Sequence, residues 1–138
     1  MVPLALAKAC HHKAKLYARE HDLAKATAAL RQVLVLHFPP GAAEGEDIRL
    51  DARARLAELL AEQHHFDDAL RTLDEGIAER TRDSFFVANL YTVQGEVHEA
   101  RAADLDAQGR HAAATAERRE ANASYDRSNA VIQRLPPR

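Results

Sequence analysis

Apolar residues return at helical spacing along almost the whole chain, and chain breakers cut that pattern into six segments. The first spans about Leu4 to Glu20, and Asp22 stands where it can cap the second, about Leu23 to Phe38. Pro39-Pro40-Gly41 stops that helix, because proline has no backbone donor and clashes with the preceding turn. A loop through Gly45 follows, and Asp47 is placed to cap a third helix running to about Gln63. His64-His65 forms a tight turn, and a fourth helix covers about Phe66 to Arg80. Ser84 or Asp83 caps a fifth that reaches Gln108. Gly109 reverses the chain into a sixth, which ends near Leu135, before Pro136.

Composition supports helices throughout. The 138 residues include 29 alanines and 16 leucines, but aromatics are only 5% and tryptophan is absent. Sheets draw on β-branched and aromatic residues, whereas alanine and leucine head the helix scale. The chain is therefore predicted to be all-α, a single domain over residues 1–138. Connections within successive helix pairs are very short, so the pairs should be antiparallel hairpins, at about 4–38, 47–81 and 84–135.

The first two hairpins share a motif. Around the first turn the chain reads Ala14-x2-Tyr17 and then Ala26-x3-Leu30; around the second, Leu56-Ala57-x2-Leu60 and then Ala69-x3-Leu73 with Gly76. The small residue before the turn and the alanine after it stand 12 apart in both. Small side chains suit these places because the two helices approach closely there. This pattern resembles the tetratricopeptide repeat, W-x2-L-G-x2-Y followed by A-x3-F. Departures are Arg53 and Cys10 at the tryptophan place and Lys13 at the leucine place. The separation of 43, Ala26 to Ala69, is similar to the long-period variety found in kinesin-light-chain-like and bacterial regulator-associated arrays. The resemblance implies stacking into a right-handed superhelix whose first helices line a concave groove that binds a protein or peptide.

The third hairpin departs from the other two. Tyr91-x3-Gly95-x2-His98 looks like a first-helix motif, yet Gly109 follows Gly95 by 14 residues, against 7 from Ala57 to His64. Each limb is then longer by two helical turns, about 10 Å. Gly95 should face Ala121, with Tyr125 and Ser128 in the following slots. Ala100, Ala103 and Ala107 are expected to meet Ala112, Ala113 and Ala116 in a close seam. The hairpin is either a projection or a plain capping pair.

Candidate chemistry is sparse. Eight histidines include the neighbours His11-His12 and His64-His65, whose side chains point about 100° apart on a helix, and no helix carries His at a metal-binding spacing. They read as surface or turn residues, and no metal or cofactor is expected. Cys10 falls at a core position of the repeat, and one cysteine allows no internal disulfide. Nucleophile-elbow, phosphate-loop and dinucleotide glycine patterns are absent, so no enzymatic activity is expected. A net charge of −2 gives no drive toward nucleic acid or an anionic membrane. No apolar run approaches a membrane span or a secretory leader, which leads to a cytoplasmic expectation.

Charge is unevenly spread: residues 1–45 hold six Lys/Arg against three acids, and the remainder 13 against 18. On the first helix Lys8, His11, His12, Lys15 and Arg19 share one face. On the third helix Asp51, Glu58 and Glu62 take the corresponding places, and on the fifth Asn89 and Glu96, with Glu99 or Ala103 beyond. A groove grading from basic to acidic follows, either to bind a partner or because Lys15 and Glu58 pair with each other. The acids exclude the carboxylate clamp of chaperone-binding relatives. The sequence thus reads as a non-catalytic interaction module with a protein or peptide partner. The alternatives are a self-associating structural repeat, hence a homo-oligomer, or a segment of a larger bacterial regulatory or signalling solenoid. Leu105 is the only large aliphatic residue between Glu99 and Glu120, so the tip at Asp104 to Arg110 is expected to be either mobile or a contact surface. Hydrogen exchange tests this: fast exchange at residues 104–113 in the monomer, slowed on association, is expected, and strong protection in a proven monomer overturns it.

Overall fold

The computed structural model describes residues 2–19, 21–39 and 43–137. These form six helices: α1 (Val2–Arg19), α2 (Leu23–Leu34), α3 (Ala43–Glu62), α4 (Phe66–Glu79), α5 (Phe85–Ala107) and α6 (His111–Arg134), with no strand among the described residues. Glu20, Pro40 and Gly41, which the sequence places at the ends of the first two helices, lie outside the described residues. No described helix is long and apolar enough to cross a membrane.

The turn is the most regular feature of the chain. His21, His64 and Gly109 all take the left-handed conformation, at φ of 59°, 61° and 76°. Each turn then closes with the same bond: Asp22 N–H to Tyr17 O, His65 N–H to Leu60 O and Arg110 N–H to Leu105 O, all at 2.8–2.9 Å. These satisfy the last carbonyls of the first helix, as a left-handed residue after a helix allows. Asp22 Oδ1 accepts from Lys25 N–H at 3.1 Å and Ser84 Oγ from Val87 N–H at 3.2 Å, so both predicted caps form. On either side of the turns Ala14 and Ala26, Ala57 and Ala69, and Ala102 and Ala114 are all buried. The 12-residue spacing therefore occurs a third time, at Ala102 and Ala114 rather than at Gly95.

Each hairpin docks on the one before it along a stripe of its first helix. In α3 the stripe is Gly45, Arg49, Ala52, Leu56 and Leu59, continued by Gln63 just past its end. Gly45 lies so near Phe38 that a β-carbon there would come within 2.7 Å of the ring. Arg49 donates to Leu34 O at 2.6 Å, Gln63 donates to Thr27 Oγ1 at 3.5 Å, and Ala52, Leu56 and Leu59 between them are buried. In α5 the stripe is Val87, Leu90, Gln94, Val97 and Arg101, where Gln94 donates to Asp74 at 3.1 Å and Arg101 to Asp67 at 3.0 Å across to α4. Position 56 of α3 thus corresponds to 94 of α5, a shift of 38, whereas the turns at His64 and Gly109 are 45 apart. The third turn lies seven residues further out, about 10 Å of helix, and α5 and α6 are the longest helices.

Two predicted boundaries need correction. α2 ends at Leu34, not Phe38. Pro39 drives Phe38 away from helical geometry, and Arg49 takes up the freed Leu34 carbonyl. α3 begins at Ala43, so Asp47 is inside the helix rather than at its cap, and its carboxylate instead accepts from Arg82 at 2.6 Å. Glu44 and Glu46 in the first turn favour this early start by facing the positive end of the helix dipole.

The seam at the tip also differs from the expected one. Ala102, Leu105 and Ala114 form a small separate cluster with Ala113 against it, while Ala100, Ala103, Ala107, Ala112 and Ala116 are exposed. The inner face of α5 continues from Gly95 through His98 to Ala102 and Leu105 at spacings of three and four, which leaves the other alanines out of phase. Gly95 is covered by the Tyr125 ring rather than by Ala121; a β-carbon there would stand 2.4 Å from Tyr125 Cε1. The phenol donates to Glu99 at 2.8 Å, and burial, then that bond, pushes its pKa up to about 12. Ser128 donates to Ala88 O at 2.8 Å, so a serine bonds the facing backbone where the hairpin closes. Ala69→Glu, at a fully buried crossing position, is expected to cost on the order of 3 kcal/mol and lower Tm by roughly 10 °C. A melting curve within a degree or two of the parent would overturn the register.

Candidate binding groove

The inner faces of α1, α3 and α5 lie in sequence across one side of the molecule and carry the predicted stripe. Between α1 and α3 a hollow of about 450 Å³ is lined by Lys8, His11, His12, Lys15 and Asp51, with Phe86 of α5 closing it. A smaller hollow of about 140 Å³ brings Lys15 beside Arg55, Glu58 and Glu62. Between α3 and α5 a third, of about 290 Å³, sets Glu58, Glu62 and Glu96 over an apolar floor that includes Ala61, Val93 and Val97. Eight of the ten residues predicted on this stripe therefore line three contiguous hollows. Arg19 is exposed and Asn89 half-buried, and neither lines these hollows.

Part of the charge is spent within the chain. Lys8 Nζ lies 3.3 Å from Glu44, His11 Nε2 lies 3.3 Å from Asp51, and Asp51 accepts from Arg55 Nε at 3.4 Å. Lys15 and Glu58 line the same hollow, yet no ion pair joins them among the described residues. Burial holds His11 below the usual imidazole range, with Asp51 opposing the shift and Arg55 and Lys15 adding to it. Burial also raises Glu58 above the usual carboxylate range, reinforced by Glu96 and opposed by Arg55. The basic end is thus partly neutralised, and the acidic end carries repulsion that a bound cation would relieve.

Several contributors were not singled out from sequence. Phe86 and Arg55 reach the groove from positions whose side chains carry no charge pattern of their own, or the wrong sign. His11 and His98 are not plain surface histidines: each is largely buried against a carboxylate, His98 Nδ1 standing 2.6 Å from Glu117. Cys10 is buried, its thiol donating to Gln32 Oε1 at 3.2 Å. At the family's tryptophan place Arg53 is 9% exposed and its guanidinium donates to Glu75 at 2.9 Å and Glu79 at 3.0 Å. Among the described residues no group of three or more His, Cys, Asp or Glu side chains could hold a metal.

The sequence profile of the tetratricopeptide repeat-like domain matches residues 7–134. The chain belongs to that family. Neither a curated protein nor a solved structure gives a match. Tetratricopeptide repeat-like domains are helical repeats that often mediate protein interaction, and the all-helical chain with its recurring turn agrees with the family. A guanidinium paired with two α4 carboxylates stands where the family's large aromatic would fill the same space.

Glu58 generates a prediction with a definite sign. Its folded pKa lies above the unfolded value near 4.5, so its ionisation at higher pH disfavours the folded state. Glu58→Gln is expected to raise Tm by about 1–3 °C near pH 7, the size of a relieved like-charge contact, and to leave it unchanged near pH 4. Equal shifts at both pH values in thermal melts would show that repulsion is not the cause.

Proposed function

We propose that the chain is one array of three helix hairpins, wound as a right-handed superhelix, that holds a protein or peptide partner along its mixed-charge concave face without catalysing a reaction. The observation that carries this reading is the juxtaposition of unpaired charge of both signs along contiguous hollows. Lys15 stands at one end and Glu58, Glu62 and Glu96 at the other, over an apolar floor. Charges already paired inside the chain contribute little to an encounter, whereas unpaired ones steer and orient a complementary segment. A partner with acidic residues toward Lys8, Lys15 and Arg19 and basic residues toward Asp51, Glu58 and Glu62 fits this gradient. Family membership supports the general role, and the gradient supports the polarity of the partner.

The test uses synthetic peptides bearing an acidic block and a basic block in either order. One order is expected to bind, and the double variant Lys8→Glu with Lys15→Glu should weaken it by about tenfold and flatten its salt dependence. Equal binding of both orders, or an affinity that ignores the double variant, would show that these stripes serve only each other.

A further inference from the structure

The repeat register identifies a second docking surface, away from the groove. A shift of 43 residues superposes α1 on α3: Ala7 on Leu50, Cys10 on Arg53 and Ala14 on Ala57, all six buried. The same shift puts Leu6, Ala9, Lys13 and Leu16 on Arg49, Ala52, Leu56 and Leu59, the stripe by which α3 docks on α2. In α3 that stripe is covered, Leu59 being 8% exposed. In α1 it is open: Leu6 is 49% and Leu16 42% exposed, and Ala9 and Lys13 are exposed as well. Leucines separated by a small residue at spacings of three and four form a seam for another helix.

The register also describes the helix that fits. Where α4 covers α5, Leu70 and Ile77 pack into the core on either side of Asp74, which accepts from Gln94. Gln94 corresponds to Leu56 and so to Lys13. A covering helix on α1 therefore needs a carboxylate opposite Lys13, flanked by apolar residues four before and three after. The outer face of α6 does not meet this need. At the places of Leu70, Asp74 and Ile77, a shift of 45 puts Thr115, Arg119 and Asn122, all exposed. A second copy stacked head to tail would set Arg119 against Lys13 and polar side chains against both leucines. Two α1 helices face to face would also repel, since α1 carries Lys8, Lys13, Lys15 and Arg19 and no acid.

We propose that the Leu6–Leu16 face of α1 docks an amphipathic helix of a protein partner, with an apolar-x3-Asp/Glu-x2-apolar seam whose carboxylate pairs with Lys13. The face is distinct from the concave groove, and the outer side of α6 is polar.

The experiment titrates the isotope-labelled full chain with a stapled helical peptide of the α4 pattern, Leu-x3-Asp-x2-Ile, and follows backbone amide shifts. Saturable shifts centred on Ala5, Leu6, Ala9, Lys13 and Leu16 are expected. Leu16→Glu, at an exposed position and with circular dichroism expected to match the parent, and Lys13→Glu should each weaken binding about tenfold, while Lys15→Glu should not. A peptide with Asp replaced by Lys should bind at least tenfold less tightly. Absence of saturable shifts, or shifts centred on the groove, overturns the proposal. So does sedimentation equilibrium showing self-association of the unliganded chain that Leu16→Glu abolishes, because the occupant is then a second copy. Co-sedimentation with phosphatidylserine vesicles that outcompetes the peptide overturns it in favour of a lipid surface.

Discussion

Everything in this molecule rests on how closely two helices approach beside each turn. At Ala14 and Ala26, Ala57 and Ala69, and Ala102 and Ala114 the side chains are single methyl groups, so the helix pairs can touch where the chain has just reversed. The left-handed residue sets the reversal, and its own N–H and that of the residue after it donate to first-helix carbonyls. Most of the stability of such helices comes from packing an apolar face rather than from propensity, and α2 and α4, at 12 and 14 residues, are short enough to be marginal alone. Fixing the reversal and the approach together makes each pair a unit that can present one face to its neighbour. The groove and the stacking stripe are two faces of the same first helices, held at a fixed angle by that unit.

Interactions between units are of another kind. The α3 stripe mixes apolar contacts with side-chain bonds to backbone carbonyls, and within its own hairpin Arg53 brings a charged network into the space of an aromatic. Removing one member of such a network leaves its partners unpaired at low exposure, which costs more than the bond itself contributes. Arg49 is an instance of one residue acting on two levels. Its guanidinium ends α2, through Leu34 O, and reaches Glu79 on α4, so the boundary of one helix depends on a side chain from the next hairpin.

That dependence explains what could be read from the sequence. Turns, caps and alanine spacing are set by neighbours within a few residues, and Asp22, Ser84 and Gly109 were legible for that reason. The end of α2 and the start of α3 depend on Arg49, Phe38 and Gly45 meeting across a loop, which no local pattern announces. At the tip the phase is set by distance from the turn: Ala102 and Leu105 precede Gly109 at the spacing at which Ala57 and Leu60 precede His64, whereas Tyr91 and Gly95 carry the repeat's residue types at another phase. In the groove, a helix-face argument recovered Lys8, Lys15, Asp51, Glu58 and Glu96. It could not reveal Phe86, which arrives from a neighbouring hairpin, or the pairing of Asp51 with His11.

The seven-residue offset between docking and turn on α5 carries a consequence for how such a hairpin can change length. Two turns of helix take about 7.2 residues, so seven added residues rotate a face by only about 20°. The inner line from Gly95 through Ala102 thus survives the lengthening without a change of partner face. Five added residues would turn it by about 140° and present Ala100 or Ala103 to α6 instead of Ala102. Growth of this limb is therefore graded by phase: lengths close to whole turns, such as four residues at about 40° or seven at about 20°, keep the face, and lengths between them expose another side.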